Sequence, residues 1–577
     1  MLHVHSNYSL LQGAVSTDDL IARAKSFGMK ALALTDRNGM YGLIQFYKKA
    51  TEAGIKPLLG AYIDEPESSF ADRNSGAGSV DWEAYIDKFE SEKKRKEEYQ
   101  PGNGGEYQPG GRGVYEREYI LLLAGTREGY SNLCRIITAR KLKENFSLEE
   151  VLRGELRGLF VISPSIRLLK AAGNRGNVFG ELPITSATKK TAREVYNFCL
   201  ENRYKYLPTS PVFFLNEEDY LLHKIVTAIR LRKTLGTLRE DETEPKAFYF
   251  REYGEMLREW KRVPGAVENL NFVIDNCNVD PEMGKTKFPV FPTPGGEPSF
   301  SYLWKLAFKG LEMRYHAITE KAINRLRYEL EVINELGFSD YFLVVRDIVR
   351  EAKQRGMMLL GRGSAANSLV SYCLGFTEVD PIKYDLYFER FLNRGRKSPP
   401  DVDLDFSWRE RDEIVRYVFE KYGYDKVAMI STMVTFRARS AFRETAKVFG
   451  VPESEISQYS KFIPWTDARN LPNLSAMFPE ARSLKFEVEP WKSIVSAAVR
   501  LASFPRHLSI HPGGIVITPE PITDYVALEF ASNKGLGIII TQPDMYPIED
   551  LGLIKIDLLS QRSLGVLRET MGKVANV

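Results

Sequence analysis

The chain has 577 residues, 44% of them hydrophobic and 27% charged, with a formal net charge of +3. That length calls for three or four domains, and the composition is that of a folded globular protein rather than a disordered or collagenous one. The near balance of charge excludes a globally basic nucleic-acid coat, and no apolar run approaches a bilayer span, so any phosphate-binding surface is local and no membrane partner is expected.

The first residues, "MLHVHSNYSLLQGAV", lack a basic region followed by an apolar core, which argues against a secretory signal and for a cytoplasmic location. "DDLIARAKSFG" has the apolar spacing of a helix, "MKALALTD" reads as a buried strand, "LIQFYKKATEAG" as a helix and "IKPLLGAYI" as a strand. This alternation predicts parallel strand pairing. His3 and His5 alternate along an extended stretch and could share one metal ion, with Asp36 after "ALALTD" as a third ligand. Two histidines so close together are otherwise unremarkable.

Residues 64–116 break the pattern. "KFESEKKRKEEYQPGNGGEYQPGGRG" is charged, rich in Gly and Pro, and repeats "EYQPG", so it reads as a flexible insertion without a core of its own. "YILLLAG" and "GLFVIS" then read as strands, and "GYSNLCRIITARKL" as a helix, continuing an α/β domain to about residue 245. Cys134, Cys199, Cys277 and Cys373 lie far apart with no CxxC pair, so neither a zinc site nor a disulfide framework is expected.

Residues 246–300, which include "DPEMGKTKFPVFPTPGGEPSF", read as a linker region. The helical patterns "ITEKAINRLRYELEVINELGF" and "DYFLVVRDIVREAKQRG" follow. In "LLGRGSAANSLVSY" a strand runs through Gly361 into Arg362, Gly363 and Ser364 and then a helix. Small residues let backbone approach a ligand, a helix start presents free N–H groups, and Arg362 offers a forked donor. The loop is either a tight connection or a triphosphate cradle.

In "PPDVDLDF", Asp401, Asp403 and Asp405 fall on alternate positions. On a strand they share one face, with neighbouring carboxylates roughly 6–7 Å apart. Such crowding suits either a solvated edge or a divalent cation. "TFRARSAFRETAK" then places Arg439, Arg443 and Lys447 at helical spacings of four beside Arg437, a stripe fit for a phosphate backbone or simply a solvated face. Phe436 and Phe442 read as packing residues. "FPRHLSIHPGG" adds Arg506, His507 and His511 as candidate phosphate or DNA-backbone contacts. Finally "LGLIKIDLLSQRS" sets Lys555 and Asp557 on one strand face, with Ile554, Ile556 and Leu558 on the other. Joined to Asp401 and Asp403, Asp557 would complete a carboxylate cage for two Mg²⁺ ions, the hard-oxygen arrangement used in phosphoryl transfer.

Taken together, these stretches resemble the bacterial DNA polymerase III alpha subunits, the C-family DNA polymerases. "HVHSNYSLLQGA", "ALALTDRNGMYG" and "AGIKPLLGA" are similar to the opening motifs of their polymerase-and-histidinol-phosphatase (PHP) domain. "GFSDYFLVVRDIV", "GRGSAANSLVSYCLG", "DPIKYDLYFERFLN", "PPDVDLDF" and "GLIKIDLL" are similar to their palm, and "TFRARSAFRE" with "FPRHLSIHPGG" is closest to the error-prone accessory branch. The resemblance implies an α/β multidomain chain. Its parts would be a PHP-type (β/α)7-like barrel over 1–245 and a nucleotidyltransferase-like, polymerase-beta-like palm over 301–432 and 511–577, with a helical thumb over 433–510 inserted between the two palm segments. It also implies catalytic, metal-binding aspartates at Asp401, Asp403 and Asp557, and a triphosphate-binding set of Arg362, Gly363, Ser364 and Lys555. The implied reaction is Mg²⁺-dependent addition of dNTPs to a primer–template.

The chain departs from the family pattern in two ways. In the PHP metal set, Arg37 stands where a histidine is expected, Tyr62 where a glutamate is, and Pro211 and Phe213 where an Asp-x-His is. The remnant His3, His5 and Asp36 should therefore hold metal partially or not at all, and phosphoesterase or 3′–5′ exonuclease activity is not expected. The family's fingers domain also lies beyond the third aspartate. Its absence here implies a chain that does not polymerise alone and that takes a separate C-terminal polymerase fragment, a sliding clamp and other replication subunits as partners. The competing expectation is a catalytically incomplete paralogue acting as a DNA-binding or assembly protein.

Overall fold

The computed structural model describes residues 1–66, 118–143, 145–395, 399–531 and 538–574, so the expected insertion falls almost wholly outside the described residues. The chain forms two compact units. The first takes Met1–Pro281, Thr432–Ser509 and Thr523–Gly537, and the second Glu282–Ser431, Ile510–Ile522 and Ile538–Val577.

The first unit is built on six strands in spatial order β1 (Ala31–Leu34), β2 (Lys56–Asp64), β3 (Tyr119–Ala124), β4 (Leu159–Ser163), β5 (Val178–Pro183) and β6 (Lys205–Thr209). All four residues of β1 are buried, as a strand covered on both faces requires. β1 and β2 are parallel, as are β4, β5 and β6, but β3 runs antiparallel to both its neighbours. The simple parallel alternation expected from sequence therefore holds only in part. The N-terminal residues act as a further stave. Met1 and Val4 carbonyls accept from Ala33 and Thr35 at 2.9 and 2.8 Å, and His5 N donates to Val212 O at 2.8 Å. These bonds join β1 to the chain leaving β6 and close a seven-stave barrel.

The helical segment Ala438–Val448, Glu453–Ser460 and Trp491–Arg500 belongs to this same unit. Phe436, Phe442, Ile494 and Ala498 are fully buried in one apolar cluster with Phe214, Leu222, Ile225 and Val226. Phe442 lies 5.6 Å from the ring of Trp491. The region 246–300 is not a loose linker. Helices Tyr253–Trp260 and Ala266–Asn276 bury Met256, Trp260, Leu270 and Val273, and Asn269 donates to Tyr206 O at 2.8 Å, tying them to β6. Their apolar residues at helical spacing outweigh the Pro- and Gly-rich tail from which the linker was inferred.

The second unit carries β7 (Leu359–Arg362), β8 (Asp403–Ser407), β12 (Ile539–Asp544), β13 (Lys555–Gln561), the first five residues of β9 (Val427–Thr435) and the last eight of β10 (Pro505–Ile517), while the rest of β9 and β10 and the short β11 (Leu528–Phe530) fall in the first. The central order is β9, β10, β13, β8, β7. Leu404, Phe406, Ile515, Ile556 and Leu558 are all fully buried on the inner face. Helix Ser339–Gln354 packs against β7, and helices Arg411–Tyr422 and Arg562–Val574 pack against β13 and β8. Alternation then forces the intervening residues, Asp403, Asp405, Lys555 and Asp557, to the opposite face.

Candidate metal centre and phosphate-binding loop

β8 and β13 are parallel neighbours, and Asp403 and Asp557 are register partners. Asp401 lies just before β8, where Tyr341, buried at the start of helix Ser339–Gln354, receives the Val402 N–H at 3.3 Å and fixes the approach. One carboxylate oxygen from each of Asp401, Asp403 and Asp557 falls within 4.8 Å of the others. Among the described residues this is the one group of three or more acidic, histidine or cysteine side chains so placed. Asp401 is exposed, while Asp557 is buried.

The electrostatics are those of crowded acid. Asp403 is pushed up to about 6, first by burial and then by Asp401 and Asp557. Lys555 offsets part of the charge, with Nζ 2.6 Å from Asp557 Oδ2 and 3.7 Å from Asp401 Oδ1. Burial works against its ammonium, but the bond to Asp557 and the charge of Asp401 and Asp403 prevail and raise its pKa. The other oxygen, Asp557 Oδ1, is buried without a hydrogen-bond partner among the described residues. His511 does not satisfy it. Its Nδ1 stands 3.6 Å away and accepts the Gly514 N–H at 2.6 Å, so that nitrogen carries no proton to donate. A buried, orphaned carboxylate oxygen beside two further acids is a donor set that fits a hard divalent cation.

Asp405 is a different residue from its two neighbours. It is buried, lies 3.4 Å from Arg362 Nε and receives Gln561 Nε2 at 3.4 Å. Arg362 is the register partner of Asp403 across β7 and β8, and its Nε is 3.8 Å from Asp403 Oδ2. Gly363 follows with φ +73°, and a Cβ there would stand 3.4 Å from Asp403 Oδ2. The loop Gly363–Asn367, which contains Ser364, thus lies against the acidic trio, joined to it through Arg362.

Sequence reasoning missed what holds that loop. Glu329 is fully buried. It accepts Arg325 Nε at 2.6 Å, Ser368 Oγ at 2.7 Å and the Val370 N–H at 3.1 Å. Arg325 in turn donates to the carbonyls of Asn367 and Leu386 at 3.1 and 3.0 Å. The signal was present: Glu329 interrupts an apolar stripe formed by Leu326, Leu330 and Ile333.

The other candidate residues lie elsewhere. Arg439 donates to Ile463 O at 2.6 and 3.0 Å, and Arg443 binds Glu453 and, at 2.9 Å, Ser460 Oγ. Lys447 lies 3.7 Å from Glu444, which also receives Arg506 at 2.9 Å. Much of the expected basic stripe therefore braces its own helical segment. Arg437 stands 5.6 Å from the ring of Trp465, which is 86% exposed. His507 is half-buried, and burial together with Arg506 lowers its pKa. His511 belongs beside Asp557 rather than with that basic group.

His3, His5 and Asp36 do not converge. His3 pairs with Glu181 at 2.8 Å, and the two Nε2 atoms of His3 and His5 are 3.1 Å apart. Asp36 is turned away onto Ser6 N, Ser6 Oγ and Ser9 Oγ, each at 2.7 Å. Arg37 is locked onto Asp64, and Phe213 stacks on His5 at 4.0 Å. The Asp36 carboxylate is thus held in a buried hydrogen-bonded core by the Ser6 N–H and the Ser6 and Ser9 hydroxyls.

Comparison with known proteins finds two domain matches along the chain. Residues 1–205 match the PHP domain, and residues 301–560 match the bacterial DNA polymerase III alpha NTPase domain. The chain is 32% identical over 621 residues to the error-prone DNA polymerase of Symbiobacterium thermophilum, covering 100% of this chain and 52% of that protein. It is 33% identical over 589 residues to DNA polymerase III subunit alpha of Bacillus subtilis, covering 98% and 48%. For the error-prone DNA polymerase of Bdellovibrio bacteriovorus the identity is 30%, covering 99% and 51%. The chain belongs to the bacterial DNA polymerase III alpha family, with its PHP domain preceding its NTPase domain. It spans about half the length of the curated relatives it matches. Among the described residues no helix is long and apolar enough to cross a membrane.

Proposed function

We propose that this chain carries the catalytic palm of a DNA-directed DNA polymerase, adding deoxynucleotides to a primer 3′-hydroxyl on a DNA template. The observation that carries the reading is the convergence of Asp401, Asp403 and Asp557 beside a glycine-bearing loop. Two Mg²⁺ ions held by these carboxylates would lower the pKa of the attacking hydroxyl and neutralise charge on the triphosphate. The protein's own part is positioning. Register pairing of β8 with β13 fixes two acids, Tyr341 fixes the third, and Gly363 lets backbone approach a phosphate. Lys555 neutralises Asp557 and Asp401 and is placed to pass its charge to a phosphate oxygen, and Arg362, now facing Asp405, is placed to do the same. In this reading the domains keep the expected order of PHP domain, palm, thumb and palm, with the thumb over 433–510. The exposed Trp465 and Arg437 on the thumb segment suit a DNA strand, by stacking and charge. Replication or repair synthesis in the cytoplasm is the setting proposed, with clamp and further subunits as partners.

Primer extension with Mg²⁺ tests the reading. Wild type should extend a primer and Asp401→Ala/Asp403→Ala should not, with a C-terminal polymerase fragment supplied where the chain alone is inactive. Salt-sensitive DNA binding without extension in either setting would favour the second reading, a DNA-binding or assembly protein. That alternative is supported by Lys555 and Arg362 sitting on the acids they would have to leave.

A further inference from the structure

Helix Ser339–Gln354 carries Arg346, Arg350 and Lys353 at spacings of four and three, on one stripe. Across a groove from it stand Arg314, at the end of helix Ser299–Arg314, and the turn Cys373–Gly375. Together they line a cavity of about 560 Å³ in the second unit, within the roughly 300–1,000 Å³ of small-molecule sites. Four cations face it and one lining acid, Glu378, opposes them.

The pairing within the groove is incomplete. Glu378 is shared, bound by Arg314 and lying 3.3 Å from Lys353 Nζ. Arg350 pairs with Asp347 at 2.6 Å, but Asp347 is buried and its second oxygen is taken by the hydroxyls of Tyr417 and Tyr422 at 2.7 and 3.1 Å. Arg346 is half-buried and has no hydrogen bond or ion pair among the described residues. Its pKa is lowered first by burial, with Arg350 adding to the fall against the opposing pull of Tyr302 and Asp347. A partly desolvated guanidinium held beside a second one is unfavourable unless an anion joins them. Gly375, with φ +81°, gives the chain its turn without a side chain. A Cβ there would stand 2.8 Å from Lys353 Nζ, so the glycine also leaves room for the ammonium over the backbone.

We propose that this groove is a binding site for a small polyphosphate anion, such as pyrophosphate or the phosphate chain of a nucleoside di- or triphosphate. Three forked guanidiniums and an ammonium match several phosphate oxygens better than one carboxylate. The site is separate from the aspartate trio. Tyr341 meets the approach to Asp401 at one end of the helix, and Arg346, Arg350 and Lys353 lie five, nine and twelve residues on, roughly 8, 14 and 18 Å along it at 1.5 Å per residue.

The test is isothermal titration of the full chain with inorganic tripolyphosphate in EDTA, which removes metal-dependent binding at the aspartates. Wild type should bind one equivalent. Arg346→Gln should weaken binding at least tenfold, while Lys190→Gln, an exposed cation of the first unit, leaves it unchanged. Arg346→Gln should also keep or raise the melting temperature of the free protein, because it removes an unpaired charge rather than a contact. Equal affinity in Arg346→Gln and wild type would overturn the proposal, as would loss of binding only in Arg362→Gln. A deoxythymidine 12-mer that binds an Arg346-dependent site more tightly than tripolyphosphate would reassign the groove to a nucleic-acid strand and likewise overturn it.

Discussion

Asp403 and Asp557 lie 154 residues apart in sequence, yet they are direct register partners on parallel strands. Their proximity, with Asp401 beside them, makes the ionised state of Asp403 unfavourable until a cation arrives. Its pKa of about 6 implies that cation binding releases a proton near pH 6 and none at pH 8. Mg²⁺ or Mn²⁺ affinity should fall up to tenfold per pH unit below 6. Titration calorimetry in buffers of different ionisation enthalpy measures the proton directly. Asp403→Asn should remove both the proton release and most of the affinity. In the free protein at pH 8 it should stabilise the fold by about 1–2 kcal/mol, allowing for the partial exposure of the side chain.

Gly363 offers a backbone test of the loop. At φ +73° an alanine should cost about 1–2 kcal/mol, although its Cβ would only touch Asp403. Gly363→Ala should lower the unfolding midpoint in urea and weaken Mg²⁺·dNTP binding, whereas Gly176→Ala, with nothing near its Cβ, should do neither.

His223 sets an acid limit on the first unit. Its ring donates to Gln12 O and accepts the Glu244 N–H, both at 2.9 Å, so only the neutral form satisfies the site. Burial lowers its pKa to about 4 from an unfolded value of 6.5. Because the folded pKa is depressed, the unfolded chain takes up the proton first. The contribution is complete above pH 6.5 and declines as pH falls toward 4. Between pH 7.5 and 5.0 the loss should be about 2 kcal/mol. Urea unfolding at the two pH values should show that drop in wild type and not in His223→Gln.

Trp465 is 86% exposed, with the Arg437 guanidinium 5.6 Å from its ring. If a base stacks there, Trp465→Ala should weaken single-stranded DNA binding roughly tenfold, from the ~1–3 kcal/mol of a base–aromatic contact. Trp465→Phe should retain most of it, and neither variant should move the melting temperature. Unchanged anisotropy titrations for Trp465→Ala would remove this residue from the DNA path.

Phe442 tests the shared core. Truncation to alanine should cost about 3–5 kcal/mol, as for other fully buried phenylalanines. Because Phe442 and Ile225 lie in one cluster, hydrogen exchange should rise in the helix Tyr220–Leu231 as well as in Ala438–Val448.

Much of the site could be read from sequence because strand alternation is strict. Once Leu404 and Ile556 are placed inward, Asp403, Lys555 and Asp557 have only one face left. Asp401 and Asp405 were harder, since the same alternation treats them alike. What separates them is that Asp401 precedes the strand while Asp405 is answered by Arg362 and Gln561, partners remote in sequence. The basic stripe around Arg439 was legible as a stripe, but its engagement with Ile463 O and Glu453 depends on how the following loop folds back. The two helices within 246–300 lost out to their Pro-rich neighbour. Glu329 was not singled out, because its partners Ser368 and the Val370 N–H are about forty residues away in sequence.

The chain order of the first unit has a consequence for biogenesis. Residues up to 281 leave Phe214, Leu222 and Ile225 without the aromatic and aliphatic partners supplied from 432–509. During synthesis those partners emerge only about 230 residues later, on the order of ten to fifty seconds at ordinary elongation rates. For that interval the nascent chain displays an unfinished apolar surface, a window in which a ribosome-associated chaperone would find something to hold.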